Sequence, residues 1–189
     1  MIPCMRTLTA SELPKYRDHL LRLDAEDRRL RFGFPISDEA IQGHVRQIDM
    51  TKDRILVQVH DDLEIIAAAH IAAGAQGTVE LAFSVDSGWR GKGLGTQLFE
   101  RALLWARNRG IRHAVIYFLY DNHTMRHVAR QAGMTIHIEA GEGEGRLELE
   151  PPTPLSYLRE LATERLAMYE HSFKVSRQGR RPLLARPAV

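Results

Sequence analysis

A single cysteine, Cys4, is all that 189 residues contain, which excludes an internal disulfide framework and a cysteine-rich zinc site and fits a reducing cytoplasm. Long apolar runs are missing too. No stretch approaches the roughly 20 residues that span a bilayer, and the start lacks an apolar signal segment, so a cytoplasmic protein with no membrane partner is expected. Excess charge is small, +2 overall, which argues against a bulk nucleic-acid binder. Acidic residues end at Glu170. The five basic residues beyond it, Lys174, Arg177, Arg180, Arg181 and Arg186, leave 21 basic against 24 acidic residues in the rest of the chain. The body is thus mildly acidic, and residues 176–189 read as a basic, solvated tail. There is no internal repeat.

At 44% hydrophobic, the chain can bury one sizeable core, and residues 1–150 are expected to form a single domain. Met5 to Leu8 reads as a short strand, and Ser11 as the cap of a helix with Leu13, Tyr16, Leu20 and Leu23 on one face. Asp24 to Arg31 reads as further helix, broken at Phe32-Gly33-Phe34-Pro35. Those two phenylalanines are candidates for lining an acceptor site. Ser37 caps a third helix with Ile41, Val45 and Ile48 inward. The segments 54–60, 64–72 and 78–85, joined by short turns, predict an antiparallel meander.

Beyond the meander, Leu98, Ala102, Trp105 and Ala106 recur at helical spacing up to Gly110, and 114–119 is apolar throughout, as in a strand buried on both faces. Asp121 or Asn122 caps a helix that turns Met125, Val128 and Ala129 inward and stops at Gly133. A hairpin is expected from 134–138 and 146–149 around a loop at Gly141 to Gly145. Prolines 151, 152 and 154 end the sheet. A final amphipathic helix over 151–175, with Leu158, Ala162, Leu166, Tyr169 and Phe173 on its stripe, is expected to dock on the body or on a second subunit as a homodimer contact. Strands, then a strand-helix-strand unit, make an α/β fold with a mixed sheet.

The segment from Glu80 to Thr96 carries the chemistry. A strand ends at Val85, and Arg90-Gly91-Lys92-Gly93-Leu94-Gly95 opens a helix. Glycines at alternate positions strip the turn of Cβ atoms, so backbone N–H groups can converge on an anion at the positive end of the helix dipole. A phosphate-bearing ligand is expected. Neither common nucleotide motif fits: a dinucleotide fingerprint counted from Gly91 or Gly93 meets Thr96 or Leu98 where its third glycine belongs, and Gly91-Lys92 lacks the Ser or Thr of a P-loop.

The segment resembles the pyrophosphate-binding stretch of the GNAT superfamily of acyl-CoA-dependent N-acyltransferases, a valine-ended strand followed by Arg/Gln-x-x-Gly-x-Gly/Ala, which Val85, Arg90, Gly93 and Gly95 match. Asn122 to Met134 is similar to a second GNAT segment. Together the two cover Glu80 to Met134, and the run Trp89 to Gly95 with Asn122-x-x-Met125 is most like the GNAT domains of bacterial protein-lysine acetyltransferases. The resemblance implies a mixed, mainly antiparallel sheet flanked by helices, whose fourth and fifth strands splay to admit acetyl-CoA. It implies that the backbone of Phe83, Ser84 and Val85 pairs with the pantetheine arm, that Arg90, Gly91, Lys92, Gly93, Leu94, Gly95 and Thr96 hold the pyrophosphate, and that Asn122, with Met125 on the same helix, contacts pantetheine.

The resemblance also implies that Glu80 is the general base. A tyrosine common in relatives seven residues after the asparagine, where it protonates the CoA thiolate, is Ala129 here. An amine with a reference pKa near 10 is protonated at neutral pH and attacks a thioester only when neutral, so a base is required, and a strand carboxylate desolvated beside a cleft would suit. A backbone N–H near Phe83 to Val85 would serve the oxyanion. The expected partners are acetyl-CoA and an amine acceptor, with no metal: His123 and His127 lack the glutamate of an H-E-x-x-H site. His70 reads as a core histidine. Glu139, Glu142, Glu144 and Glu148 form an acidic cluster that could draw in a cationic acceptor, or a solvated loop. The competing readings are a non-catalytic acyl-CoA sensor or interaction module and, more weakly, nucleic-acid association through 174–189, which predicts salt-sensitive retention.

Overall fold

A two-residue strand, β1 (Arg6–Thr7), leads through a 3-10 turn (Ala10–Glu12) into α1 (Leu13–Arg22), α2 (Ala25–Phe32) and α3 (Asp38–Gln47) in the computed structural model, which describes residues 5–179. Ser37 caps α3 by accepting from the Ala40 N–H, as predicted. The first helical segment starts before Ser11. Thr9 takes the capping position, because the Glu12 carboxylate accepts from its N–H at 3.2 Å and its hydroxyl at 3.0 Å, and from Arg6 at 2.6 and 2.7 Å. Burial pushes that carboxyl up, but Arg6 and Thr9 outweigh it and bring Glu12 down to about 2.

The meander forms as β2 (Arg54–Val59), β3 (Ile65–Ala73) and β4 (Thr78–Val85), all antiparallel. After it come α4 (Leu94–Asn108), β5 (His113–Leu119), α5 (His123–Gln131), β6 (Thr135–Glu139), β7 (Glu142–Glu148) and α6 (Pro154–Gly179). The sheet has seven strands in the order β1-β2-β3-β4-β5-β7-β6, and β4–β5 is its parallel pair. Apolar side chains leave β2 and β3 on both faces. One set packs under α4 and α5 with Leu98, Phe99 and Trp105, and the other under α1 and α3 with Tyr16, Leu20 and Ile41. No described helix is long and apolar enough to cross a membrane.

Two expectations fail, each for a tertiary reason. The first concerns β5, which is buried on one face only: Ala114, Ile116 and Phe118 pack into the core, whereas Tyr117, on the opposite face, is 59% exposed and lines the open groove. The second is the glycine loop, which is strand. Gly143 and Gly145 sit inside β7, opposite Phe118 and Ile116 of β5, and a Cβ on Gly145 would come within 2.8 Å of the Ile116 side chain. Glycine here makes room for a neighbour's side chain, and the turn itself shrinks to Ala140-Gly141. The last helix, α6, docks on the body by a polar face and turns its apolar stripe outward. The helix also runs past position 175, and residues 180–189 of the basic tail lie outside the described residues.

Candidate functional site: the cleft between β4 and β5

Parallel pairing of β4 and β5 lasts three residues, Thr78–Glu80 against His113–Val115, and then stops although both strands continue. On its other side β4 stays bonded to β3 all the way to Val85. From Leu81 onward β4 is therefore a free edge inside the sheet, with half its backbone groups facing the gap. A gap of this kind accepts an extended ligand that can hydrogen-bond like a strand. Phe83 and Val85 turn their side chains into the core, Phe83 stacked on Phe99 with centroids 5.0 Å apart, so the free edge offers the gap main chain.

Ser84 points the other way, into a buried cluster that the sequence did not disclose. Its hydroxyl pairs with His19 Nε2 at 2.8 Å, while His19 Nδ1–H donates to the Ile65 carbonyl at 3.0 Å with Asp86 Oδ1 2.9 Å away. Arg22 also reaches the Ile65 carbonyl, at 2.6 Å. The order Ser-His-Asp imitates a nucleophilic triad, but His19 is fully buried and neither it nor Ser84 lines the open groove. The cluster locks the end of β4 to α1 and β3, just before the chain turns toward α4. His19 beside Tyr16 and Leu20 on the apolar face of α1 was the available signal.

The turn leaves β4 through a 3-10 segment (Ser87–Trp89), and Gly91 and Gly93 then take φ of 72° and 76°, a region costly for other residues. Gly93 caps α4. The first ladder bond runs from Gln97 N–H to the Gly93 carbonyl at 3.1 Å, so the amides of Leu94, Gly95 and Thr96 lie outside the helical ladder at the positive dipole end. The Leu94 side chain is buried and fixes this first turn to the core. Lys92 Nζ sits 4.1 Å from the Trp89 ring centroid and donates to the Gly88 carbonyl at 3.2 Å. Arg90 is ion-paired with Asp27 of α2. Burial pushes the Asp27 carboxyl up against the pull of Arg90.

Asn122 begins α5 on the far side of the gap. Its Oδ1 accepts from Met125 N–H at 3.0 Å, and this bond leaves the side-chain NH2 uncommitted. Met125 packs against the core with Val128, and Ala129 is fully buried. At the closed end of the gap an open groove of about 620 Å³ is lined by Glu80, His113, Tyr117, Glu144, Arg146 and Glu148, among others. Glu80 is exposed on its wall, so the desolvated setting expected for it is not present in the free chain. Burial, then Glu144, then Glu80 push the Tyr117 hydroxyl up. Glu144 is held down by Arg146, which it meets at 2.8 Å.

Pairing of β5 with β7 thus brings Glu144 and Glu148 of the acidic cluster beside Glu80. Phe32 and Phe34 take no part in this groove: Phe32 packs edge-on against His44, with centroids 5.4 Å apart, and Phe34 is exposed. His70 is a core histidine as expected, 6% exposed and 3.3 Å from Asp53. Burial, with Arg31 adding to it, brings it down to about 4.

The family model described as the Acetyltransferase (GNAT) family matches residues 18–134, which include the splayed strands, the glycine turn and α5. The chain belongs to the GNAT acetyltransferase family. A comparison with curated proteins gives no match. Among solved structures, the GNAT domain of S. lividans PAT is similar with a TM-score of 0.65 at 24% identity, over 77% of this chain and 89% of that one. A GNAT-family acetyltransferase from Streptococcus pneumoniae gives 0.63 at 16% identity, over 77% and 98%. The ribosomal L7/L12 alpha-N-protein acetyltransferase, solved in complex with coenzyme A, gives 0.57 at 18%, over 78% and 94%. These likenesses show the GNAT fold, in which the parted fourth and fifth strands are the expected mixed-sheet architecture. Acetyl-CoA is the co-substrate this family uses.

Proposed function

We propose that this chain transfers an acetyl group from acetyl-CoA to a cationic primary amine, on a small molecule or a protein lysine, by direct attack within a ternary complex. The observation that carries the reading is the coincidence of two features at one residue: β4 and β5 part at Glu80, and Glu80 stands on the wall of an open, carboxylate-lined groove. The groove takes the amine, drawn by Glu80, Glu144 and Glu148. The gap takes the thioester.

The residues of this chain fit acyl-CoA at both ends. The free edge of Phe83 to Val85 supplies main-chain partners for the amide-bearing arm, and the amides from Gly91 to Thr96, with Arg90 and Lys92, supply a cationic, Cβ-poor cradle for the diphosphate. Arg90 must exchange or share its bond to Asp27 to do so. Glu80 takes the proton from the ammonium, and the neutral nitrogen attacks the carbonyl carbon. As the C–N bond forms, the C–S bond breaks and the electron pair leaves on sulfur, and the nitrogen sheds its second proton to solvent, from which the departing thiolate can be protonated. A backbone N–H of the β4 edge answers the charge that develops on the carbonyl oxygen. With Ala129 buried, no side chain at that position donates a proton to sulfur. A thiol with a reference pKa near 8.5 is a tolerable leaving group without one.

The test is a panel of amines and lysine peptides incubated with acetyl-CoA, read by release of free thiol. Turnover is expected on acceptors carrying positive charge beyond the reacting amine. Thermal stabilisation by CoA with no turnover on any acceptor would favour a sensor module instead.

Asn122 offers a separate check on the ligand side. Asn122→Asp keeps an N-cap oxygen but loses the NH2 donor, so the melting temperature should hold while the dissociation constant for CoA rises about fivefold. Asn122→Ala should lose both, with about 1 kcal/mol of stability. An Asp variant that binds CoA as the parent does would leave Asn122 a cap alone.

A further inference from the structure

The inner side of α6 is polar. Asn108 Nδ2 donates to the Ser156 carbonyl at 3.0 Å and to Glu160 at 2.6 Å, Arg109 reaches Glu160 at 2.8 Å, and Lys174 donates to the Val59 carbonyl at 2.8 Å. Buried Arg101 is faced by Glu160 and Glu164, which oppose the downward push of its burial. These bonds settle which side faces the body. The other side carries Leu155, Leu158, Ala162, Leu166, Tyr169 and Phe173 at successive steps of three or four residues, a single stripe about 27 Å long. Its large members are between 47% and 78% exposed. Scattered apolar residues on a surface need no explanation, but a continuous stripe of this length marks an interaction site.

The arrangement of the stripe identifies what covers it. Turned end for end about residue 164, the stripe maps onto itself: Leu155 falls opposite Phe173, Ala162 opposite Leu166, and Leu158 within one residue of Tyr169. The flanking charges obey the same symmetry. Arg159 and Glu170 lie on one flank, equally far from a point half a residue beyond that midpoint, and neither has an ion-pair partner among the described residues. On the other flank Leu161 and Met168, about half exposed or more, are related in the same way.

We propose that α6 packs antiparallel against α6 of a second copy of this chain, about a two-fold axis near residue 164. In an antiparallel helix pair each flank meets its own counterpart, so Arg159 meets Glu170 of the partner subunit, and the symmetry makes that pair twice. Leu161 meets Met168 of the partner subunit. Arg165, between them, lies near the axis and extends its long side chain to the rim. A self-complementary stripe with paired opposite charges is what an isologous contact requires, and a partner of different sequence would have no need of it.

Sedimentation velocity of the full chain over about 1–100 µM should show a species of twice the 21.5 kDa monomer mass. Arg159→Glu turns two attractions into two repulsions and should weaken association about tenfold, with the defect shrinking at high salt. Glu170→Arg should do the same, and the two together should restore association to within about threefold of the parent. Leu158→Glu should leave a monomer. Leu158 and Arg159 are exposed and Glu170 is half-buried, so the far-UV circular dichroism spectrum of each variant should match the parent's. A chain that is monomeric at every concentration overturns the proposal. So does a double charge variant that fails to recover, or a monomer that instead sediments with phosphatidylglycerol vesicles.

Discussion

Glu80→Gln is expected to lower kcat on a primary amine by about 10²–10⁴-fold while leaving the dissociation constant for acetyl-CoA unchanged. Glutamine keeps the size and the hydrogen bonding of the side chain and removes its ability to hold the amine's proton. Glu80 lies at the point where the strands part, on the groove wall rather than along the gap, so the loss should fall on turnover and spare nucleotide binding. The defect should also depend on pH. Below an amine pKa near 10.4, each unit of pH raises the neutral fraction about tenfold, so the variant should recover as alkali replaces the missing base. Stopped-flow or steady-state release of thiol between neutral and alkaline pH measures both effects. A kcat within about threefold of the parent at neutral pH would remove Glu80 from the base role.

Gly143→Ala is expected to destabilise the fold by about 1–3 kcal/mol, a fall of roughly 3–10 °C in melting temperature for a chain of this size. A Cβ at this position would lie no more than 2.9 Å from three carbons of the Phe118 ring, so either the ring or β7 must move. Phe118 is buried in the core under α4 and α5 and has little room to yield. Displacing β7 would carry Glu144 and Arg146 with it and disturb the groove, so activity should fall alongside stability. Gly88→Ala is the matched control: nothing lies within 4 Å of its Cβ position, and the change should be close to neutral. Thermal and urea unfolding of the two variants decide the matter, and equal stabilities would show that β7 accommodates a side chain there.

Local signals made much of this molecule legible. Alternation and short turns define the meander of β2, β3 and β4, and Gly91 and Gly93 mark the turn because backbone conformations with positive φ select glycine. Asn122 was readable as the start of α5 because capping needs only a side-chain oxygen within one turn of chain. What escaped was set by contacts between distant segments. The same glycine that signals a turn at Gly91 signals, at Gly143 and Gly145, a strand crossed by large side chains from β5, and nothing local tells the two apart. Tyr117 sat in an apolar run that looked fully buried, and its exposure follows from its place on the face of β5 that turns away from the core and lines the groove. His19, Asp86 and Asp27 acquired partners 65, 67 and 63 positions away, at Ser84, Asp86's imidazole neighbour and Arg90.

The amphipathic face of α6 shows the division most plainly. Spacing alone determined that Leu158, Ala162, Leu166, Tyr169 and Phe173 share one side of a helix, because the α-helical repeat is a property of the backbone. Which side meets the body was decided in three dimensions, where Asn108, Arg109 and buried Arg101 offered Ser156 and Glu160 hydrogen bonds and opposite charge that an apolar stripe would have left unanswered. The same holds for the cleft between β4 and β5. The sequence by itself determined the glycine turn, through conformations open to few other residues, and placed a carboxylate at residue 80; the parting of β4 from β5, and the gathering of Glu144 and Glu148 around Glu80, belong to the tertiary structure, because strand pairing depends on every other strand that competes for the same edge.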